Sequence, residues 1–300
     1  MKQVFDLTLQ AETEAESGKD VISEEQKNLS ESDDNRVRGE VDAEAPGASA
    51  FLSDYYNIEH FARYPKEVLV EMSRSRDDAG PWGLIIVAKA DHNGAFYSPE
   101  NLAKLKNQVG GSFKMRIVEA GTVEEAQELT AKLTRAHGRA GYCMIGGHGS
   151  SVSIQFGEAP ATAPTGPEQE LTYKLTAQKE GEDKQADSGP RPRASLATLG
   201  ETLDSNLEER AGIVLFSCST AADPNKQADS TPAADPDTTA NELPSEAQPI
   251  ADQLAKVAKR EVYGANDSVH GVSDFNPTTD GRSVKFNPEF KGAGTRKIAA

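Results

Sequence analysis

The chain has 300 residues, a formal net charge of −16 at pH 7 and a mean hydropathy of −0.59, and only 36% of its residues are hydrophobic. These values are typical of a folded core joined to solvated polar tracts. The acidic balance argues against nucleic acid and anionic membrane surfaces as partners, because phosphate binding draws on clustered Lys and Arg, whereas cationic peptides suit such a surface.

The two cysteines, Cys143 and Cys218, both lie in apolar runs typical of strands. They could form one bridge but no disulfide framework, which favours a reducing compartment. The first residues, Met1 to Leu7, lack the apolar region of a secretory signal, and the chain has no apolar run of about 18 residues. We therefore expect a cytoplasmic protein without membrane association. A secreted effector exported without such a signal is the alternative.

Residues 1–50 predict a disordered acidic tail, because Glu, Asp, Ser and Ala dominate and apolar residues follow neither the helical nor the strand period. We assign residues 51–300 to a single domain. Its first part, Phe51 to Met72, is rich in aromatic and aliphatic residues and predicts short helices that cover the core, separated at Pro65.

Strands and helices alternate from Trp82 onward. The apolar runs Leu84–Ala88 and Phe113–Val118 predict strands. Between them, Ser98 and Pro99 begin a helix that ends at Gly110. Thr122 and Glu125 then form a capping box for a second helix, which leads to the apolar run after Gly141. This spacing predicts parallel βαβ units and an α/β fold.

The rest of the chain continues this pattern around two insertions. Alternating apolar residues from Val152 to Phe156 predict a half-exposed strand, and flexible insertions are expected at about 157–193, with a possible hairpin arm at Leu171–Leu175, and at 221–244. The remaining predictions are a helix from Leu196 to Leu207, a strand ending at Cys218, a helix over Ser245–Arg260, a strand over Val262–Ala265 and a C-terminal hairpin from Val272 to Phe286 that turns at Asp280 and Gly281.

Two of the predicted strands end in residues with reactive side chains. The run from Gly141 ends in Gly-Gly-His148-Gly149, and the run from Gly212 ends in Ser-Cys218-Ser-Thr. An imidazole close to a thiol can accept its proton, so the pair suffices for acyl transfer. Backbone N–H groups at the turns after the strands, those of Gly149 and Cys218, could bind the oxyanion of the tetrahedral intermediate.

An apolar strand ending in His148-Gly149, followed by one ending in Ser217-Cys218, resembles the clan CD cysteine peptidases, which include caspases, metacaspases, legumain and clostripain. The sequence has Ser-Cys-Ser where metacaspases have Asp-Cys-His and caspases have Ala-Cys-Arg-Gly. The nearest local likeness is to the CHAT and toxin self-processing peptidase domains.

This resemblance covers roughly Trp82 to Phe286. It implies a caspase-like three-layer sandwich, with a mostly parallel central sheet and helices on both faces. It also implies His148 as general base and acid, Cys218 as nucleophile, an oxyanion hole from the N–H groups of Gly149 and Cys218, and no metal or organic cofactor. The substrate would be a protein or peptide.

The specificity of such an enzyme is predicted from loops that follow strands. Asp91 and Asp267 lie in such loops, where α/β sheets form substrate pockets. A carboxylate there would select Lys or Arg at P1, in agreement with the resemblance to clostripain and metacaspases. Either residue could instead be a loop-capping or solvated aspartate.

Other interpretations of the same residues stay open. Cys143 is typical of a small core residue. The segment Gly146 to Gly149 could cradle a phosphate, but that requires a helix directly after Ser150, where the alternation predicts a strand. The histidines and cysteines have no close zinc-ligand spacing. The insertion at 221–244 could be a self-processing linker, with Lys226 as its only basic residue. An inactive caspase-like module that binds partner proteins is the alternative function.

Overall fold

The computed structural model describes residues 24–90, 99–157, 174–176, 196–223, 248–269, 273–291 and 294–300. The helices in these ranges are α1 Glu24–Glu44, α2 Ala48–Tyr56, α3 Lys66–Arg74, α4 Pro99–Val109, α5 Val123–His137, α6 Leu196–Asn206 and α7 Ile250–Ala258, with a 3₁₀ turn at Phe61–Arg63. The strands are β1 Trp82–Ala88, β2 Lys114–Ala120, β3 Cys143–Gly146, β4 Ser153–Gln155, β5 Lys174–Thr176, β6 Ile213–Phe216, β7 Val262–Ala265, β8 Thr278–Thr279, β9 Val284–Lys285 and β10 Thr295–Ile298.

A central sheet of six strands has the order β10-β7-β6-β3-β1-β2. Every neighbouring pair is parallel except β10 and β7, which are antiparallel. The four inner strands are buried along their whole length, which explains their continuous apolar sequences. The predicted α/β class with a mostly parallel central sheet is confirmed.

Helices connect the parallel strands and pack against the sheet and one another. Helix α5 contacts β2 and β1, α6 packs between α5 and α7, and α7 contacts β7 and β10. The Thr122 hydroxyl accepts the Glu125 N–H at 3.1 Å at the start of α5, as its sequence predicts, and the Glu125 carboxylate accepts the N–H of Gly121 at 2.8 Å. The capping box thus fixes the point at which the chain leaves β2.

The N-terminal layer begins earlier than the sequence predicts. Helix α1 lies inside the stretch expected to be a disordered acidic tail, and residues 24–50 are corrected to a helix and the start of α2. Val37 and Val41 of α1 are buried one helical turn apart, and the Asp34 carboxylate accepts the Ala62 N–H at 2.7 Å. Two apolar residues are too few to reveal a helical period in the sequence. They are enough to hold α1 in place when other helices supply the apolar surface against which it packs.

A buried carboxylate attaches this layer to the sheet. Glu119 near the end of β2 is fully buried and accepts hydrogen bonds from the backbone N–H groups of Glu59 and His60, at 2.9 and 3.1 Å, and from the Tyr64 hydroxyl at 2.5 Å. The His60 ring lies 3.0 Å from it. Burial, the largest influence, would raise the pKa of Glu119, but these side-chain partners and the charge of Arg63 hold that pKa below its ordinary value.

The C-terminal part of the chain packs against the amino ends of the central strands β3 and β6. Strands β8 and β9 form an antiparallel ladder of two residue pairs around Asp280, shorter than the hairpin expected from Val272 to Phe286. Val284 also bonds to two central segments, since its N–H donates to Gly141 and its carbonyl accepts from Gly212, both at 2.8 Å. The chain then enters β10, which the sequence did not predict.

The two insertions are only partly described. Strand β5 lies within the stretch 157–193 and pairs antiparallel with β4, near the expected hairpin arm. Most of that stretch, residues 224–244 of the second insertion and residues 1–23 of the tail lie outside the described residues. Within the described part of the chain, no helix combines the length and the apolar character that crossing a membrane requires.

Candidate active site

The loops that carry His148 and Cys218 are neighbours because β3 and β6 are neighbours. These strands pair in parallel up to Gly146 and Phe216. His148 and Cys218 each follow two residues later on their own strand, at the carboxyl edge of the sheet. The same strand register therefore brings the loops of His148 and Cys218 to one edge of the sheet, and both residues are partly exposed there.

Ser217 joins the two strand ends directly. Its buried hydroxyl donates to the Gly147 carbonyl at 2.6 Å. On the other side of His148, a side chain at Gly149 would overlap the Ser217 oxygen and would lie 2.8 Å from the Ser153 carbonyl. Gly147 is equally confined, because its Cβ would lie 2.6 Å from the Ala88 Cβ. The glycines around His148 are thus required by close packing within the protein.

The loop after β3 turns back as an antiparallel bridge. The Gln155 N–H donates to the His148 carbonyl at 2.8 Å, and the Ser150 N–H donates to the Ser153 carbonyl at 2.9 Å. These bonds flank the pairing of Gly149 with Ile154. In such a non-hydrogen-bonded pair, the N–H groups of the two paired residues point away from the partner strand. The Gly149 N–H is therefore directed away from β4.

The turn after β6 holds Cys218 in a strained segment. Ser219 has a φ of 55°, a conformation uncommon for a residue with a side chain. Its N–H donates to the Asp267 carbonyl at 3.1 Å, and its carbonyl accepts the Ala222 N–H at 2.9 Å. The chain thus turns sharply at the thiol and leaves it at the tip of the strand.

The Cys218 sulfur has a mixed electrostatic environment. It accepts the Val269 N–H at 3.4 Å. Burial is the largest influence and raises the pKa of Cys218, the charge of Asp267 raises it further, and the Val269 N–H lowers it in part. The net effect is a raised pKa, so the neutral thiol is favoured in the resting protein.

The amino end of α7 connects both loops. The Ile250 N–H donates to the Ser151 carbonyl at 2.8 Å, and the Ala251 N–H donates to the Thr220 carbonyl at 3.1 Å. The first N–H groups of a helix have no partner within it, so the two loops satisfy them in place of a capping side chain. Arg296 of β10 completes this support with bonds to the Ala221 carbonyl and the Asp252 carboxylate.

The structure brings four of the predicted site residues together: His148, Gly149, Cys218 and Asp267. The exposed Asp267 lies next to the thiol, and its carboxylate accepts the Ser268 N–H at 2.7 Å. Asp91 lies outside the described residues. The sequence assigned no bonding role to Ser217 or Ser219 and did not single out Val269 or the start of α7. These residues act through backbone geometry and a neighbouring strand, which leave no residue spacing to detect.

Other interpretations of the sequence can be compared with this geometry. Cys143 is fully buried in β3, and burial raises its pKa, so it is a core residue. Strand β4, not a helix, follows Ser150, so the helix that a phosphate loop requires is missing there. Among the described residues, no three His, Cys, Asp or Glu side chains are grouped as a metal site would require.

No protein-family model, no curated protein and no solved structure matches this chain.

Proposed function

We propose that the chain is a cysteine endopeptidase of caspase-like fold, with Cys218 as nucleophile and His148 as general base and acid. The observation that supports it most is the bond between Ser217 and Gly147 at the ends of two adjacent parallel strands, 2.6 Å long, which holds the imidazole loop against the thiol turn. Two reactive groups at neighbouring carboxyl ends of a parallel sheet are typical of an active site in α/β proteins.

The proposed reaction runs through an acyl-enzyme. His148 takes the proton of the Cys218 thiol, and the thiolate attacks the scissile carbonyl carbon. The resulting oxyanion collapses, the C–N bond breaks, and His148 gives its proton to the leaving amine. A water molecule then attacks the thioester, His148 accepts its proton, and the carboxylic acid leaves as the thiol forms again.

The oxyanion would be held by the N–H groups of Gly149 and Cys218. The Gly149 N–H is directed away from β4, and Cys218 begins a sharp turn at the end of β6. Fixed backbone donors at such positions stabilise the developing charge without reorganisation. Because burial raises the pKa of the thiol, His148 must accept its proton during the reaction, and a preformed thiolate contributes little.

The proposed substrates are peptides with a basic residue at P1. Asp267 is exposed within the electrostatic reach of the nucleophile, and the net charge of −16 attracts cationic chains. Self-processing is also part of the proposal. The 221–244 linker begins in the turn that carries Cys218, and Pro249, a few residues after the linker, directly precedes α7. A cytoplasmic site of action stays a prediction.

The sandwich architecture is also part of the proposal. Right-handed crossovers would place the helix between β1 and β2 on one face and the helices of the three following crossovers on the other, because the sheet order reverses at β2. The contacts of α6 with both α5 and α7 support a single layer of these three helices.

The test is cleavage of a diverse peptide mixture, read by mass spectrometry, with the wild type and with Cys218→Ala and His148→Ala. We expect cleavage after Lys or Arg by the wild type and a loss of at least about 100-fold in both variants. Cys143→Ala removes the other thiol and is the matched control, with activity retained. Equal cleavage by the wild type and Cys218→Ala would show that the peptidase assignment is wrong.

A second candidate function is an inactive caspase-like module that binds partner proteins. The raised pKa of Cys218 and the bond from Val269 to its sulfur favour this alternative. It predicts that a thiol-reactive probe labels Cys218 at the same rate in the wild type and in His148→Ala.

A further inference from the structure

The hydroxyl of Ser217 contacts the His148 loop on both sides of the histidine. It donates to the Gly147 carbonyl, the residue before His148, at 2.6 Å. It also fills the space that a side chain at Gly149, the residue after His148, would occupy. Ser217 itself is fully buried and directly precedes Cys218. The Ser217 side chain therefore contacts both neighbours of His148, the proposed base. Ser217 is also the residue directly before Cys218, the proposed nucleophile.

The surroundings leave this contact little freedom. Gly147 is packed against Ala88 on β1 and the Gln155 carbonyl on β4, and Gly149 is packed against the Ser153 carbonyl. The peptide bonds on either side of His148 thus lie between two neighbouring segments, and the Ser217 hydroxyl connects the first of them to the residue that follows β6. The bond reaches across the two strands just beyond Gly146 and Phe216, where their ladder ends.

We propose that Ser217 is a positioning residue that sets the distance and angle between the His148 imidazole and the Cys218 sulfur. This inference rests on the proposed function for its reaction. Without the hydroxyl, the β3–β6 ladder still ends at Gly146, but the hydrogen bond that ties the Gly147 carbonyl to the residue before the nucleophile is lost. A misplacement of about 1 Å can cost about 100-fold in rate, because proton transfer and attack require near-contact geometry.

The first test compares kinetics of Ser217→Ala and Ser217→Thr with the wild type. We expect Ser217→Ala to lower kcat about 10- to 100-fold with KM changed less than about twofold, because the substrate does not touch the hydroxyl. Ser217→Thr keeps the hydroxyl and recovers most of kcat. Thr130→Val is the matched control: it removes another buried hydroxyl, which also donates to a backbone carbonyl at 2.6 Å, from helix α5. It leaves kcat unchanged.

The second test needs no substrate. Cys143 is fully buried, so iodoacetamide alkylation reports Cys218. We expect the wild type to be alkylated faster than His148→Ala at pH 7, and Ser217→Ala to lose that advantage as His148→Ala does. If no peptide is cleaved but alkylation still requires His148 and Ser217, the proposed function fails and the positioning role stands.

Two results with the Ser217→Ala and Thr130→Val variants would overturn the inference. One is a folded Ser217→Ala with kcat and alkylation within about twofold of the wild type. The other is a Thr130→Val variant that loses kcat as strongly as Ser217→Ala, which would make the effect one of general stability. If Ser217→Ala fails to fold, Gly149→Ala displaces the same hydroxyl from the other side, and unchanged alkylation in that variant overturns the inference as well.

Discussion

At the scale of single residues, Cys218 and Asp267 combine two opposing effects in one place. The exposed carboxylate would suit a cationic substrate, yet its charge raises the pKa of Cys218, the proposed nucleophile. A bound Lys or Arg side chain would neutralise that charge. The proposed nucleophile would then be most reactive when a substrate with a basic P1 residue is bound.

The Asp267→Asn substitution separates these effects. Loss of the negative charge should lower the pKa of Cys218, so alkylation by iodoacetamide at pH 7 should become roughly two- to fivefold faster. Cleavage after Lys or Arg should fall in the same variant, whereas cleavage after neutral residues should not. Asp54→Asn, an exposed site on α2, is the control for a change in net charge. A parallel rise or fall of both rates in Asp267→Asn would contradict this assignment.

Glu119 makes a prediction about stability and pH. Replacement by Gln leaves one acceptor oxygen for four donors, so we expect a loss of about 1–3 kcal/mol in the free energy of unfolding at pH 7. Because the pKa of Glu119 is lowered on folding, its stabilisation is present above the ordinary range near 4.3 and is lost as pH falls through the lowered value.

Urea unfolding at pH 7 and at about pH 3.5 measures both parts of this prediction. The difference between the wild type and Glu119→Gln should be large at pH 7 and should shrink on acidification. A difference that is the same at both pH values would show that the charge of Glu119 does not attach the N-terminal layer.

At the scale of elements, the site depends on how closely β1 and β3 approach. The Tyr142 ring, just before β3, lies over Gly83 of β1 and occupies the position that a side chain there would need. Tyr142 is fully buried and contacts Phe286 at 5.3 Å between ring centroids. This packing helps to fix where β3 begins, and therefore where His148 emerges at its other end.

The Gly83→Ala substitution tests that packing. Its methyl group would overlap the Tyr142 ring, and overpacking of this kind costs about 1–3 kcal/mol or more. Gly39→Ala in α1 is the matched control, since a methyl group there meets no atom within 4 Å, and it should stabilise the protein by about 0.5–1 kcal/mol. Thermal unfolding measures both. Equal melting temperatures for the two variants would contradict the packing at Gly83.

The elements also show what the sequence can and cannot predict. The inner strands and α5 are predicted because continuous apolar runs and a capping box are local signals. Helix α1 and strand β10 were not predicted, since α1 has only scattered apolar residues and the sequence of β10, Thr-Arg-Lys-Ile, is not apolar. In the site, His148 and Cys218 stand out by residue type. The contact through Ser217 depends on which strands are neighbours, and this is a tertiary property.

At the scale of the whole molecule, the charge of −16 is the dominant long-range feature. Its field should attract cationic peptides and repel acidic ones, and salt screens that field. We expect kcat/KM for a peptide with several Lys residues to fall several-fold when NaCl is raised from about 0.02 to 0.5 M. The kcat/KM for a peptide of zero net charge, whose one basic residue is at P1, should change much less. Equal salt dependence of the two peptides would mean that the net charge does not steer substrates.

The central claim is that Cys218 and His148 act as one reactive pair, and covalent labelling by a peptide acyloxymethyl ketone with Lys at P1 tests it most directly. Intact mass and peptide mapping should show a single adduct on Cys218 in the wild type, a labelling rate at least about 100-fold lower in His148→Ala, and no adduct on Cys143. Labelling of Cys218 at the same rate with and without His148, or no labelling at all by this probe or by its counterpart with a neutral P1 residue, would contradict the claim.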